Sequence, residues 1–502
     1  MIGGVALAGA EFVAGFRRDW RSPVLDVGDR VIDRVPVFLK EFAIDTFGTN
    51  DKPALLIGIG TILAVFAALI VGVVGLRRDV RVGIAGVAAL GLVGAWAAAT
   101  RRQGAPWHAV VPSLAGAVAA SATLVVVARS LARPPRTDDD AAALSSRRQF
   151  LGRSGTLVAG LAVTVGPLAA VGRRLGGRFT ASESRGAVQL PAAAEPLPPL
   201  AAGTDLGVAG LGPFITPNAD FYRIDTALVA PQVPTDGYTL RVKGMIDREL
   251  ELTYEDLLAR DLVERDITLT CVSNQVGGQY VGTARWLGCR LDDLLAEAGI
   301  QQGADQVVGR SVDGYTCGFP VDVVRDGRDA LVAVGMNGEP LPIAHGFPVR
   351  LVVPGLYGYL SATKWLTEIE LTTFDSFDHY WVPRGYAAKA PIKLASRIDT
   401  PRGLAKVAAG TVPVAGVAWE QTVGIDAVEV SIDGGEWRPA ELGRVPSNDT
   451  WVQWKYSWDA APGRHDVTVR AIDRKGAIQT ADRSEPLPDG AAGLHKIVVI
   501  VE

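Results

Sequence analysis

The 502 residues predict a chain in three parts: N-terminal transmembrane α-helices, then an α+β domain, then an all-β immunoglobulin-like sandwich. Three observations predict it. Long runs without charge crowd residues 1–175. Between 214 and 387, strand-like and helical runs interleave without a regular βαβ repeat. From 388 to 502, short alternating strands follow one another between turn signals.

Composition agrees. Mean hydropathy is +0.21 and only 21% of residues are charged, low for a wholly soluble protein. A net charge of −4 speaks against a nucleic-acid partner. Three cysteines, Cys271, Cys289 and Cys317, are too few for a disulfide framework. The five histidines are scattered, with no HxxH or CxxC spacing, which argues against a zinc or haem site built by the protein.

Residues 1–175 predict four or five spans. Ala54 to Leu76, "ALLIGIGTILAVFAALIVGVVGL", carries no charge. At about 1.5 Å per residue it covers the roughly 30 Å hydrocarbon core. "VGIAGVAALGLVGAWAAA" from Val82 and the stretch from Trp107 to Ala128 are two more. Gly155 to Gly172 is a shorter fourth that carries Pro167. The opening "MIGGVALAGAEFVAGF" reads as a fifth span rather than a cleaved secretory signal, since an early basic region and a cleavage pattern are missing. Residues 28–48, with mixed charges and Pro36, read as an interfacial or re-entrant helix. The arginines of "RRDVR" after Leu76 and of the segment from Arg129 to Arg153 predict cytoplasmic loops, against which "TRRQ" at 100–103 votes. The last span then runs outward, placing the remainder outside the cytoplasm. "SSRRQFLGRS" at 145–154 reads as an internal twin-arginine export signal or as a plain positive flank. An export signal of that kind suits cargo that has already folded. Residues 176–213, rich in Ala, Pro and Gly, predict a linker.

In the α+β domain, "RLDDLLAEAG" places Leu291, Leu294, Leu295 and Ala298 on one helix face and stops at Gly299. In the last domain, "DAVEVSID" sends Val428, Val430 and Ile432 inward and turns at Gly434–Gly435. "WKYSWD" alternates Trp454, Tyr456 and Trp458.

The chemistry centres on Cys271, at the end of the strand-like "ITLTCVSN". It shares a strand face with Ile267 and Leu269, where a small buried hydrophobe is the plainer reading. Ser273 and Asn274, however, open a polar loop, "SNQVGGQYVG", so the thiol sits where a strand gives way to a potential pocket.

"TLTCVSN", "GTARWLGCRLDDLL" and "MNGEPLPIAHGFPVRLVVPGLYGYLSATKWL", in that order and spacing, resemble the sulfite oxidase family of molybdenum enzymes. The likeness covers about 300 residues and leaves out the membrane part. It implies Mo-molybdopterin as cofactor, with Cys271 as the thiolate ligand of the metal, a soft donor suited to a metal cycling by two electrons. "FYRID" supplies Phe221, Tyr222, Arg223 and Asp225 at cofactor-contacting positions, Arg223 also facing substrate. Asn274, Arg285, Asp313, His345, Arg350, Thr363 and Lys364 fall on further cofactor positions. Arginine suits such anchoring as a planar fork and lysine as a point charge. Tyr386 lies near the family's active-site tyrosine, or else packs a domain junction. Arg285 and Trp286 are expected to line one pocket, with Cys289 in the core.

One departure bears on substrate. The sulfite-oxidising pattern has two arginines after the asparagine; here Asn274 is followed by Gln275 and Val276. Positive charge expected to hold an oxoanion is lost. The resemblance therefore implies two-electron oxygen-atom transfer with an oxoanion or a sulfoxide as substrate, at a membrane-anchored extracytoplasmic site. It also implies a separate redox partner, such as a cytochrome or membrane electron carrier, and a homodimer through the sandwich. A non-catalytic, membrane-tethered β-rich binding protein is the alternative from another class. A transport or quinone role for the helices has only Glu11 and His108, both near span ends, as ionisable candidates.

Overall fold

The computed structural model describes residues 2–17, 19–36, 39, 46, 51–75, 79–102, 104–131, 167, 169–172, 174–175 and 180–502. It divides into two compact units, residues 1–180 with 226–232, and residues 181–225 with 233–502.

The first unit is helical. Its elements are α1 (Ile2–Ala14), α2 (Pro23–Arg34), α3 (Asp51–Phe66, continued by wider turns over Ala67–Gly75), α4 (Val80–Ala99) and α5 (Val111–Leu131). Small residues let the helices approach closely. A Cβ on Gly91 would lie 2.6 Å from that of Ala117, and one on Gly94 would lie 2.8 Å from the Ser113 hydroxyl. Two helical stretches are long and apolar enough to cross a membrane, Val80–Ala99 and Trp107–Arg129. Ile2–Ala14 and Ala54–Ile70 are shorter, so among the described residues the count falls below the four or five spans expected. Most of the candidate span 155–172, and the arginines of the 145–154 motif, lie outside the described residues.

The loop after α4 is pinned to α2 by ion pairs. Arg101 makes a two-pronged ion pair with the buried Asp26 of α2, at 2.8 Å on both prongs. Arg102 pairs with Asp33, and Arg21 with Asp29 at 2.9 Å.

The second unit begins with α6 (Ser182–Ala187), inside the expected linker. Ten strands follow: β1 (Thr239–Gly244), β2 (Leu250–Thr253), β3 (Leu262–Thr270), β4 (Val281–Arg290), β5 (Gln306–Ser311), β6 (Thr316–Pro320), β7 (Leu331–Met336), β8 (Glu339–Pro340), β9 (Arg350–Val352) and β10 (Leu366–Thr372). They form two sheets, β2-β1-β10-β5-β6 and β3-β4-β7-β8, with β9 also pairing β7. Only β1 and β10 pair in parallel within them, which fits the α+β reading. Helices α7 (Leu291–Ala298) and α8 (Gly358–Ser361) lie between strands. In α7, Leu291, Leu294, Leu295 and Ala298 are all buried, and Gly299 at φ +73° caps it as the sequence predicts.

The β3-β4-β7 sheet is covered on both faces. Leu262, Leu287, Cys289, Val332 and Val334 belong to one core. Ile267, Leu269, Ala284, Trp286, Leu331 and Ala333 belong to the other. Burial on both faces explains why β7 is apolar throughout.

The segment 181–213 is packed rather than free. Arg185 donates to the carbonyls of Leu341 (2.8 Å) and Pro340 (2.7 Å). Glu195 bridges Val263 in parallel, and Ala194 N–H donates to Leu262 O at 2.7 Å. Its Pro-rich composition hid this, because an extended segment that covers a strand edge needs no side-chain period.

The last nine strands are β11 (Ala395–Thr400), β12 (Lys406–Val407), β13 (Gly410–Trp419), β14 (Ile425–Ile432), β15 (Arg438–Pro439), β16 (Glu441–Leu442), β17 (Val452–Ala460), β18 (Gly463–Asp473) and β19 (His495–Val501). They make sheets β11-β13-β17-β16 and β12-β19-β18-β14-β15. The two share one core of Val414, Trp454, Trp458, Val428, Val430, Val469 and Val499. Ile432 is only partly buried, and Ser431 is the more enclosed. Ser431 turns its hydroxyl to Gly435 O at 2.8 Å as the strand ends.

Candidate active site

Cys271 follows the last residue of β3 and is 7% exposed, yet it joins none of the hydrophobic clusters among the described residues. Its backbone is fixed locally. Cys271 N–H donates to Tyr280 O (2.9 Å), Asn274 N–H donates to Cys271 O (3.0 Å), and Asn274 Oδ1 accepts from Tyr280 N–H (2.8 Å). Asn274 thus closes the loop. Burial pushes the Cys271 thiol up, while the backbone and side chain of Ser273 and the ammonium of Lys364 pull the other way.

Three phenols feel the sulfur. Burial first, then the charge of Cys271, raises Tyr222. Tyr315 is raised by burial, then by Cys317 and Cys271, and Tyr357 is pushed up to about 12, again mainly by burial. Ser273 and the Lys364 ammonium both favour its thiolate form against burial. Sequence reading missed Tyr315 and Tyr357. Tyr357 lies inside the quoted "GLYGYLSATKW", so its proximity to that motif was the available signal.

Arg350 opens β9, with only 4% of its surface exposed. Its Nη1 donates to His345 O (3.0 Å), its Nε to Leu351 O (3.3 Å), and the guanidinium lies 4.9 Å over the Trp286 ring. No carboxylate pairs with it among the described residues. Burial pulls it down to about 10, which leaves it charged at neutral pH. A buried cation without a counter-ion is costly unless an anion joins it.

His345 is also buried, its Nε2–H facing Asn218 O at 3.1 Å. Burial, then the charges of Arg350 and Lys364, hold it down to about 4, so it stays neutral. The ring meets Phe221 edge-on at 5.6 Å; Phe221 in turn stacks on Tyr222 at 5.2 Å. Asp225 accepts from both Arg223 Nε and Lys364 Nζ, each at 2.9 Å. Two cations thus share the Asp225 carboxylate.

Other expected residues sit differently. Arg285 makes a two-pronged ion pair with Asp266, its partner across β3 and β4, at 2.8 and 2.9 Å. Neighbouring residues on a strand point to opposite faces. Trp286 therefore faces Arg350 while Arg285 does not, and the expected shared pocket is not formed. Thr363 spends its hydroxyl in the core, 2.7 Å from Cys317 Sγ and 3.4 Å from Gly309 O. Asp313 accepts from Tyr315 N–H at 3.1 Å in the β5–β6 turn, supporting that phenol. Tyr386 packs against Tyr359 (5.6 Å) and Trp381 (5.1 Å) within an aromatic cluster.

The donor set suits one kind of ligand: an anionic group for Arg350, Lys364 and Arg223, with a soft metal at the Cys271 thiolate. That defines a cofactor-dependent redox site, and comparison with known proteins gives the family. Residues 227–381 match the oxidoreductase molybdopterin binding domain. Human mitochondrial sulfite oxidase is 30% identical over 309 residues, 52% of this chain and 56% of that protein. Chicken sulfite oxidase is 30% identical over 320 residues, 53% of this chain and 68% of its own length. The sulfane dehydrogenase SoxCD of Paracoccus pantotrophus shares the fold, with TM-score 0.50 and 23% identity, covering 58% of this chain and 84% of that one.

The chain belongs to the sulfite oxidase family of molybdopterin-dependent oxidoreductases, and its cofactor is Mo-molybdopterin. It spans about half the length of the human enzyme it matches.

Proposed function

We propose that the chain catalyses two-electron oxygen-atom transfer on a small molecule, in the manner of a sulfite oxidase, with Cys271 as the metal ligand. When bound, the cofactor supplies the metal that accepts or gives the oxygen atom and the electron pair. The protein's part is positional. Arg350 and Lys364 hold the cofactor's anionic portion, and His345, kept neutral, offers Nδ1 as an acceptor. Arg223, the more exposed cation of its pair, orients substrate, and the Tyr222 phenol stays protonated as a hydrogen-bond donor, while Tyr315 spends its proton on Tyr359 O at 2.9 Å. The observation that carries this reading is the buried, uncompensated Arg350 guanidinium in the same constellation as a thiol outside every hydrophobic cluster.

A second reading, reduction of a sulfoxide, is favoured by one feature. The loop after Cys271 offers Gln275 and Val276 where the sulfite-oxidising pattern offers arginines. An uncharged substrate needs no such charge. Electrons pass to or from a separate partner, a cytochrome or membrane carrier. The apolar helices anchor the site outside the cytoplasm, and the sandwich, read as immunoglobulin-like, pairs two copies. Purified protein from cells with an intact cofactor pathway should contain molybdenum near one per chain. It should turn over either sulfite or methionine sulfoxide when both are assayed with artificial carriers. Absence of metal, or no turnover of either compound, contradicts the reading.

A further inference from the structure

Strand β3 is the edge of its sheet, so one row of its backbone groups needs partners from outside the sheet. The N-terminal half is covered by the Glu195 segment. The C-terminal half, which leads into Cys271, is covered by the β-sandwich. Thr268 N–H donates to Asp449 O at 2.9 Å, and Trp451 N–H donates to Thr268 Oγ1 at 2.7 Å. Gln421 Nε2 donates to Thr268 O at 2.9 Å and to Thr270 Oγ1 at 3.3 Å. Gln421 is 2% exposed, and its Oε1 has no hydrogen-bond partner among the described residues.

The loop beyond Cys271 is gripped too. Arg397 of β11 donates from Nη1 to Gly278 O at 2.8 Å, while Asp399 holds the rest of its fork. The His495 ring of β19 lies against Gly277, where a Cβ would fall 2.3 Å from Nε2, and its Nδ1 accepts from Ile398 N–H at 2.9 Å. Gly277 also has φ +77°, so this contact requires glycine twice over. Sandwich side chains therefore meet the chain immediately before and shortly after the thiol.

We propose that Gln421 and Arg397 are positioning residues for Cys271: the sandwich clamps β3 on one side of the thiol and its loop on the other, fixing the direction of the sulfur. This rests on Cys271 as the metal ligand. Displacing a supporting group by an ångström or less is enough to alter a metal site.

The test uses full-length holoenzyme. Gln421→Met keeps size and removes the donor; Arg397→Gln is a milder second variant. Val501→Ala, a core truncation at the end of β19 opposite His495, controls for general loss of stability. Molybdenum content of the unaltered enzyme is measured first, so that failure of the cofactor reading shows itself separately. The electron paramagnetic resonance signal of the half-reduced metal, kcat and KM are then compared. Gln421→Met and Arg397→Gln are expected to keep their metal, shift the signal, and lower kcat about tenfold with KM within about twofold; Val501→Ala is expected to lower Tm and leave the signal unchanged. Unaltered signal and kcat in both positioning variants, or an equal shift in Val501→Ala, overturns the proposal.

Discussion

Two neighbouring residues on β4 lead to opposite kinds of environment. On one face Arg285 reaches Asp266 and closes a two-pronged ion pair. On the other, Trp286 lies under Arg350, whose guanidinium finds only carbonyls and an aromatic ring. Both arginines looked like cofactor anchors in the sequence. Their surroundings separate them: Arg285 is taken up by one buried carboxylate of its own, whereas no carboxylate pairs with Arg350 among the described residues.

The contrast can be broken by substitution. The largest effect belongs to the thiol. Outer partners of a metal ligand cost about 10–100-fold when removed, so Cys271→Ser should lower turnover by more than about 100-fold, measured with artificial carriers. Next come the two arginines. Arg350→Met should lower cofactor content of purified protein by about tenfold or more while Tm changes little, since no carboxylate is left behind. Arg285→Leu should do the reverse. It strands the buried Asp266 carboxylate at a cost of about 3 kcal/mol, read by denaturant unfolding, while cofactor content per folded chain stays level. If both variants lose cofactor equally, the distinction fails.

A smaller effect sharpens the picture at the substrate side. Asp225 neutralises part of the charge of Arg223 and Lys364. Asp225→Asn should therefore lower KM for an anionic oxo compound by about threefold to tenfold, equivalent to about 0.6–1.4 kcal/mol, and leave that of a neutral sulfoxide unchanged. Steady-state kinetics with the two substrates decides.

The smallest effect lies in the sandwich, at the residue before Gln421. Burial, then the nearby Asp473 carboxylate, pushes Glu420 up to about 7. Its folded value lies above its unfolded one. Its stabilising contribution is thus complete below about pH 4.5 and is lost as pH rises through about 7. Glu420→Gln should flatten the stability profile between pH 5 and 8 and raise stability at pH 8 by about 1 kcal/mol, a figure reduced for solvent screening. An unchanged profile would remove Glu420 from the account.

Periodicity made the regular elements legible. The face of α7 with its glycine stop, and the inward valines of β14, follow from spacing alone. Motif order brought Cys271, Tyr222, Arg223, His345, Arg350 and Lys364 to the reader before any coordinates. Three things were hidden. Arg285 and Thr363 carried the right residue types, but pairing across strands and core hydrogen bonds decide their roles. Segment 181–213 satisfies the edge of β3 through backbone atoms, which leave no side-chain signature. The contribution of the sandwich to the Cys271 loop depends on residues more than 100 positions away, Arg397 and Gln421 among them.

The central claim is a bond between the Cys271 sulfur and molybdenum. X-ray absorption at the molybdenum edge counts sulfur neighbours directly, in the native enzyme and in Cys271→Ser with cofactor retained. One sulfur fewer in the variant is the predicted result. An identical sulfur shell in the two proteins would contradict it.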